Sequence, residues 1–267
     1  MGLFGRSVEI IVAGRRFGLR GDDVYAEIEK TKRSEPNNAL IQVFNPDEGF
    51  IAAARNLDGD ELVEVSAGYG DTLHLAFRGS PMPGGVRVND EDTDTTLEIE
   101  ALDGGHQWRA SRVNQTTEGS TSAEEIIRFC ADAMGVSVRR IDIPDDYEIS
   151  FGSVLVGSTS KILDRIADSA GVDWSIQDGE LVVVPDGVDS GRTAPLYTPD
   201  NGTLLSVDRT DEGIEARVLF VEPVSPLDPF RIESRRISGW FRAERVDTQL
   251  DSSFNDPFWQ IIEAVEL

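Results

Sequence analysis

Residues 151–185 read FGSVLVGSTSKILDRIADSAGVDWSIQDGELVVVP, and the hydrophobic period changes once within them. From residue 160 to residue 170 the apolar side chains recur at helical spacing, which predicts a short helix with one buried face. Gly171 stands where the left-handed residue that ends many helices favours glycine. From Val172 onward apolar and polar residues alternate, and Asp178-Gly179 predicts the tight turn of a β-hairpin. The stretch therefore predicts a helix packed on a hairpin.

A similar pattern occurs upstream, where residues 119–138 read GSTSAEEIIRFCADAMGVSV. Both stretches open with Gly-Ser-Thr-Ser and close with Ala-Asp-x-x-Gly-Val, and the upstream one is two residues longer between those ends. Any capped helix that ends in glycine produces such a pattern. The alternative is a pair of equivalent helical modules. Under both interpretations the middle third of the chain is α/β.

The segments on either side of this middle region have the period of β-strands. Between residues 7 and 113, short alternating stretches are separated by Gly, Asp and Pro, and one short helix is expected at 47–57. Three segments are interpreted as turns: GRRFG at 14–18, GSPMPGG at 79–85 and the acidic NDEDTD at 89–94. After a Gly- and Pro-rich linker at 186–202, a second and smaller set of strands follows, with a hairpin turn at 211–213.

The predicted fold class is α+β and mainly β, with two β-barrel-like domains that flank a small α/β middle region of helix-plus-hairpin modules. We predict an N-terminal barrel over residues 1–113, the middle domain over 114–186 and a C-terminal barrel over 187–267. A chain of 267 residues is long enough to bury the cores of two or three domains.

The formal charge of the chain is −24, from 49 acidic and 25 basic residues. Because phosphate binding needs a basic surface, this balance argues against specific nucleic-acid binding. Lys30, Lys32 and Lys161 are the only lysines, and all other basic residues are arginines. An acidic surface with few lysines suits concentrated salt, where charge repulsion is screened, so we expect an organism that lives at high salt.

No apolar run approaches the ~20 residues that span a bilayer, so we expect no membrane insertion. The first apolar run is broken by Glu9, which favours a β-strand over a signal peptide. We therefore expect the protein to fold in the cytoplasm. Cys130 is the only cysteine, which excludes an internal disulfide. It lies on the apolar side of the upstream helix, as a buried structural thiol does.

The sequence offers little for catalysis. His74 and His106 are the only histidines, and no further zinc ligands cluster near either of them. No Ser-His-Asp arrangement or phosphate-binding glycine loop can be assigned. The run at 89–94 lacks the glycine and the closing glutamate of a calcium loop. Paired carboxylates are abundant, so composition alone leaves a glycosidase open. We expect no catalytic residue, no metal site and no cofactor.

Several segments, taken in order, resemble the baseplate hub proteins of tailed phages and tailed archaeal viruses. They are EIEKTKRSEPNNALIQVFN at 27–45, ELVEVSAGYGDTLHLAFRGS at 61–80, LEIEALDGG at 97–105, the stretch at 151–185, and LLSVDRTDEGIEARVLF at 204–220. The order of these segments carries the resemblance, which covers most of the chain. The helix-plus-hairpin modules are also similar to the small periplasmic domains of secretins.

The resemblance implies a structural, non-enzymatic virion protein at the tail tip or baseplate. It implies a homotrimer in which two barrels per subunit alternate around a ring and match a six-fold tail tube. The implied partners are a distal tail protein, a tape-measure protein and a tail fibre, spike or other tip protein, with DNA passing through an axial channel. Carboxylates in the turns at 89–94 and 199–213 are candidates for the channel lining, since phosphates do not adhere to an acidic wall.

A second hypothesis comes from a different class of protein. A secreted or surface β-protein that binds or acts on carbohydrate would share the β-rich plan. It would need an export signal and an aromatic platform, and neither is evident in the sequence. Neighbouring genes for a tape-measure protein and a distal tail protein would distinguish the two hypotheses.

Overall fold

A computed structural model describes residues 5–18, 23–33, 36–57, 59, 61–91, 94–103, 111–116, 121–144, 148–149, 154–253 and 257–267. Along the described chain three parts follow one another: an N-terminal β unit, a middle module with two helices, and a C-terminal β unit. The last part of the β-patterned region that ends at residue 113 lies partly outside these residues, and so does the tip of the acidic turn predicted at 89–94.

The N-terminal unit is a curved sheet that surrounds its own core. Its elements are β1 Arg6–Val12, β2 Arg15–Phe17, β3 Val24–Thr31, β4 Asn38–Phe44, α1 Glu48–Ala54, β5 Val63–Tyr69, β6 Thr72–Glu91 and β7 Asp94–Leu102. Every second residue of β3 and β4 is buried, so one face of the sheet points to the core. The predicted short helix is present as α1, where the Asp47 carboxylate accepts a hydrogen bond from the Phe50 backbone N–H at 2.9 Å.

Two of the predicted turns are wrong. Residues 15–17 form β2, which pairs with β1 around the left-handed pair Ala13-Gly14. Residues 79–85 lie inside the long strand β6, where the register against β7 shifts between Pro81 and Val86. A Cβ at Gly79 would lie 2.3 Å from the Leu102 carbonyl oxygen, so this glycine allows close approach of two strands and does not mark a turn.

The middle module contains the predicted helix and hairpin. Its elements are β8 Arg112–Thr116, β9 Thr121–Ser122, α2 Ala123–Met134, β10 Ser137–Ile141, β11 Glu148–Ile149, β12 Val154–Ser158, α3 Thr159–Ala170, β13 Val172–Gln177 and β14 Glu180–Pro185. Strands β13 and β14 pair antiparallel through Asp178 and Gly179, both of which have positive φ. This is the turn that the Asp-Gly pair predicts.

The two helices of the middle module are built alike. Each follows a short strand, and each ends at a left-handed glycine, Gly135 after α2 and Gly171 after α3. Strand β10 follows α2 and pairs in parallel with β14, which is the second strand of the hairpin that follows α3. Both helices and the hairpin bury their apolar side chains in one core, so the two similar sequence stretches fold into one layer of helices on one small sheet.

The C-terminal unit consists of strands around a second β core. Its elements are β15 Leu196–Tyr197, β16 Leu204–Arg209, β17 Ile214–Leu219, β18 Pro229–Glu233, β19 Ser238–Asp251 and β20 Phe258–Glu266. Aromatic residues fill its centre, where Phe230 stacks on Phe241 and meets the edge of Tyr197. The hairpin turn predicted at 211–213 joins β16 to β17. The fold class is confirmed as α+β and mainly β, while the exact domain boundaries stay a prediction.

Candidate assembly surfaces

The two β units have the same strand order. Numbering the strands of each unit a to e along the chain, β3, β4, β5, β6 and β7 lie side by side in the order a-b-e-d-c. Strands β16, β17, β18, β19 and β20 lie in the same order a-b-e-d-c. An additional strand pairs with strand c in each case, β1 with β5 and β15 with β18. The chain therefore contains two copies of one β architecture.

The irregularities of the two units also correspond. In both, strand d has a bulge against strand e, between Pro81 and Val86 in β6 and between Ala243 and Arg245 in β19. On strand e the last regular pair on one side of the bulge is formed by an alanine in both units, Ala101 and Ala264. Two residues away on the same face of strand e is an isoleucine that faces a valine of strand d, Ile99 opposite Val86 and Ile262 opposite Val246. A bulge bends its strand and increases the local twist, so both units curve at the same place.

Strand β19 joins the two units into one sheet. Its residues Arg245–Asp251 pair antiparallel with Thr31–Tyr25 of β3. Beside this seam Leu250, Phe258 and Phe220 enter the N-terminal core, and the Phe258 ring meets Tyr69 at 5.3 Å between centroids. The seam consequently has both backbone pairing and apolar burial, and side chains of the C-terminal unit form part of the N-terminal core.

A buried ion cluster ties the middle module to this seam. Arg242 of β19 donates to Asp173 of β13 at 3.0 Å and to Glu244 at 2.6 Å, and it also donates to the Val188 carbonyl. Lys32 and Arg33, just beyond β3, also pair with Asp173. Burial raises the pKa of Asp173, but the positive charges of Lys32, Arg242 and Arg33 together lower it by more, so the net shift of the pKa is downward. The carboxylate is thus held ionised by cations from both β units.

A second buried cluster lies at the turn of the β13–β14 hairpin. Asp103 is 1% exposed, and its Oδ2 accepts from Asn37 Nδ2 at 3.0 Å and from the Asp178 N–H at 2.7 Å. Lys30 donates to the Asp178 carboxylate at 2.8 Å. The other oxygen of Asp103 has no hydrogen-bond partner among the described residues. Burial, assisted by the nearby Asp178 charge, raises the pKa of Asp103 to about 6.

A groove opens in the C-terminal unit between the outer edge of β16 and the end of β18. Its walls are Val207 of β16, the loop 198–200 and residues 231–236 and 238–240. Arg231 stacks over the half-exposed Trp240 and pairs with Glu233. Arg235 and Arg236 are exposed and form no ion pair with the described residues. The groove lining contains three arginines against two carboxylates, Asp200 and Glu233, so it has a net positive charge on a chain of charge −24. We call it the basic groove, and it lies beside an edge strand.

The residues that the sequence offered for catalysis or metal binding do not form a cluster in the described part of the chain. No group of three or more potential metal ligands occurs among them. His74 lies in β6, whereas His106 is outside the described residues. Cys130 is buried, and desolvation raises the pKa of its thiol to about 12, which makes it a poor nucleophile. In the described part of the chain, no helix is both long and apolar enough to cross a bilayer.

Solved structures of phage tail proteins have the fold of this chain. A tail protein from Neisseria meningitidis MC58 matches with a TM-score of 0.69 and 13% identity over 98% of this chain and 97% of its own. The 43 kDa tail protein of prophage MuSo2 from Shewanella oneidensis matches with a TM-score of 0.67 and 8% identity over 98% of this chain and 97% of its own.

A third match is an E. coli component of the type VI secretion system, described as structurally similar to the T4 bacteriophage tail proteins gp27 and gp5. Its TM-score is 0.68 at 10% identity, over 97% of this chain and 76% of its own. No protein-family model matches the sequence, and no curated protein does. The predicted resemblance to tail-tip hub proteins is confirmed at the level of the fold.

The structure separates the two acidic turns that the sequence singled out. The described ends of 89–94 belong to the β6–β7 hairpin of the N-terminal unit, where Glu91 pairs with Asp94. The segment 199–213 spans the groove loop, β16 and the turn to β17 in the C-terminal unit. The basic groove was missed by sequence reasoning, because only the fold shows that Arg231, Arg235 and Arg236 line a groove together with Val207 and the loop 198–200. That these carboxylates line a channel stays a prediction.

Proposed function

We propose that this chain is a structural hub of a phage or phage-like tail tip, and that it acts as a homotrimer. The observation that carries this proposal is the repeated a-b-e-d-c strand order within one chain. Three copies of a chain with two equivalent units present six similar β units around one axis. Such a ring matches a six-fold tube on one side and three-fold tip proteins on the other. The fold likeness to tail proteins over nearly the whole chain supports the same role.

The ring would be a passive conduit. In a ring with closed cyclic symmetry, each contact surface binds its complement on the next copy, so no surface stays free to extend a fibre. A channel through a ring of chains that each have a charge of −24 would repel DNA phosphates, so DNA could pass without adhering. In this proposal the protein belongs to the virion, contacts a distal tail protein, a tape-measure protein and a fibre, spike or other tip protein, and catalyses no reaction.

Cryo-electron microscopy of the purified protein in molar KCl tests this proposal. The expected particles are rings with three-fold symmetry, six β lobes and an axial opening. Particles without a three-fold axis, or compact single chains at micromolar concentration, would contradict the hub role. A zymogram on host envelope material tests the lack of catalysis separately. Clearing that is lost when a single carboxylate is replaced would show that the protein is an enzyme.

A further inference from the structure

Two strand edges of the described chain have no strand beside them, and they are equivalent to the edges that already pair in the seam. The seam joins strand d of the C-terminal unit, β19, to strand a of the N-terminal unit, β3. The remaining d and a strands are β6 and β16. Residues 86–91 of β6 pair only with β7, and residues 206–209 of β16 pair only with β17. Unpaired edges are where another chain adds to a sheet.

The equivalence of the two units sets a register for this pairing. The aligned isoleucines of strand e, Ile99 and Ile262, face Ile41 and Ala216 on strand b, so these two strand-b positions are equivalent. On strand a, Ala26 faces Ile41 and Val207 faces Ala216, so Val207 corresponds to Ala26. From strand d to strand e, Val88 faces Leu97 and Thr248 faces Gln260. Leu97 and Gln260 in turn face Val43 and Val218, which occupy equivalent positions on strand b. Val88 therefore corresponds to Thr248.

The seam pairs Thr248 with Ile28 and Gln249 with Glu27. Transferred to the unpaired edges, Val88 faces Arg209 and Asn89 faces Asp208. The chemistry of the second pair agrees with this register. In the seam, Gln249 donates from its amide to the Glu27 carboxylate at 3.4 Å. The transferred pair is again an amide and a carboxylate, Asn89 and Asp208.

The same transfer places the described ends of the β6–β7 hairpin, at Asp90 and Asp94, beside the basic groove. In the seam, Phe258, which faces Leu250, packs on Tyr69 at the end of strand c. In the C-terminal unit strand c ends at Glu233, and the turn that follows it contains Arg235 and Arg236. The position of Leu250 is taken by Asp90, and Asp94 lies beside it in the hairpin. The apolar side chains of Leu250 and Phe258 in the seam are thus replaced by the carboxylates of Asp90 and Asp94, which face a basic groove.

From this double correspondence we propose that the acidic β6–β7 hairpin of one copy docks into the basic groove of the next, with β6 pairing antiparallel to β16. The occupant of the groove is a second copy of this chain. The contact is heterologous, since it joins two different surfaces, and a heterologous contact that closes on itself makes a ring. This inference rests on the proposed trimer and names the residues that would close it.

Cysteine cross-linking tests the register. In a Cys130→Ser background, the pair Asn89→Cys and Asp208→Cys should form disulfide-linked dimers and trimers on a non-reducing gel. The control pair is Asn89→Cys with Arg209→Cys. One residue of slip turns a side chain to the other face of the sheet, so we expect no linked species. Native mass spectrometry of both variants in reducing buffer confirms that they still assemble.

Charge reversal tests the groove. We expect Arg235→Glu with Arg236→Glu to abolish the trimer at a concentration where the parent chain is trimeric, because it places carboxylates against Asp90 and Asp94. Adding Asp90→Arg and Asp94→Arg to the same chain should restore the trimer. The control, Arg55→Glu with Arg165→Glu, makes the same change of charge at exposed arginines outside the groove and should assemble normally.

The outcomes separate this inference from the hub role. If the parent chain is trimeric, but the Asn89–Asp208 cysteine pair stays unlinked and groove reversal leaves the trimer intact, the docking is wrong and the trimeric hub stands. If the control cysteine pair links equally well, the register is wrong. A parent chain that is monomeric under all salt conditions would refute both.

Discussion

Replacement of Asp103 by asparagine should change how stability depends on pH. The carboxyl group of Asp103 is buried, one of its oxygens has no partner among the described residues, and its pKa is raised to about 6. A carboxyl group with a raised folded-state pKa adds stability below its unfolded pKa of about 3.9, and that stability is lost as pH rises through the folded pKa. The full effect is about 3 kcal/mol, since each unit of pKa is worth about 1.4 kcal/mol.

Nearly half of this change in stability falls within the pH range that a denaturation experiment covers easily. Integrating the two titrations gives about 1.4 kcal/mol between pH 8 and pH 5. The stability of the parent chain relative to the Asp103→Asn variant should therefore be about 1.4 kcal/mol more favourable at pH 5 than at pH 8. The asparagine side chain keeps an oxygen for the bonds from Asn37 and the Asp178 N–H, so the variant should fold.

Urea denaturation at pH 5, 6, 7 and 8 in constant KCl provides the measurement. The exposed Asp132→Asn variant controls for the loss of one carboxylate at the surface. A parent-minus-variant difference that does not change with pH, or that grows as pH rises, would refute the reasoning. Either result would mean that Asp103 does not keep its proton to near pH 6 in the folded protein.

Three further predictions concern the junction, the helix end and the surface charge. Arg242→Met should lower the free energy of unfolding by about 3 kcal/mol, because it removes the buried partner of Asp173; a loss under 1 kcal/mol in urea denaturation would contradict this. Gly171→Ala should cost about 1 kcal/mol, because the residue has a φ of 65°, and an unchanged urea midpoint would speak against it. The thermal midpoint of the parent chain should rise from low to molar KCl as repulsion is screened; a flat or falling midpoint would exclude the haloadapted interpretation.

The parts of the fold that depend on local patterns could be predicted from the sequence. The change of period at Gly171 and the Asp178-Gly179 turn are local signals, and the helix and hairpin form as predicted. The segments at 14–18 and 79–85 were interpreted as turns because they contain glycine or proline. In β6, however, Gly79 serves the close approach of a neighbouring strand, which sequence composition does not distinguish from a turn.

The repeated strand order could not be predicted, because it depends on distant pairings. Strand β19 pairs with β3 across more than two hundred residues, and no repeated motif marks the two β units. The basic groove is hidden for a similar reason. Adjacent arginines occur at 15–16, 139–140 and 235–236. Only the fold shows that Arg15 and Arg16 have acidic partners in Asp47 and Glu9 whereas the pair at 235–236 has none among the described residues.

The mass of the native assembly tests the trimeric hub most directly. Native mass spectrometry from volatile salt of high ionic strength should show one species of about 88 kDa, three times the 29.3 kDa chain. The same species should persist on dilution to nanomolar concentration if the ring closes through three equal contacts. A stable species at the mass of one chain, or a dominant dimer, tetramer or hexamer, would contradict the account.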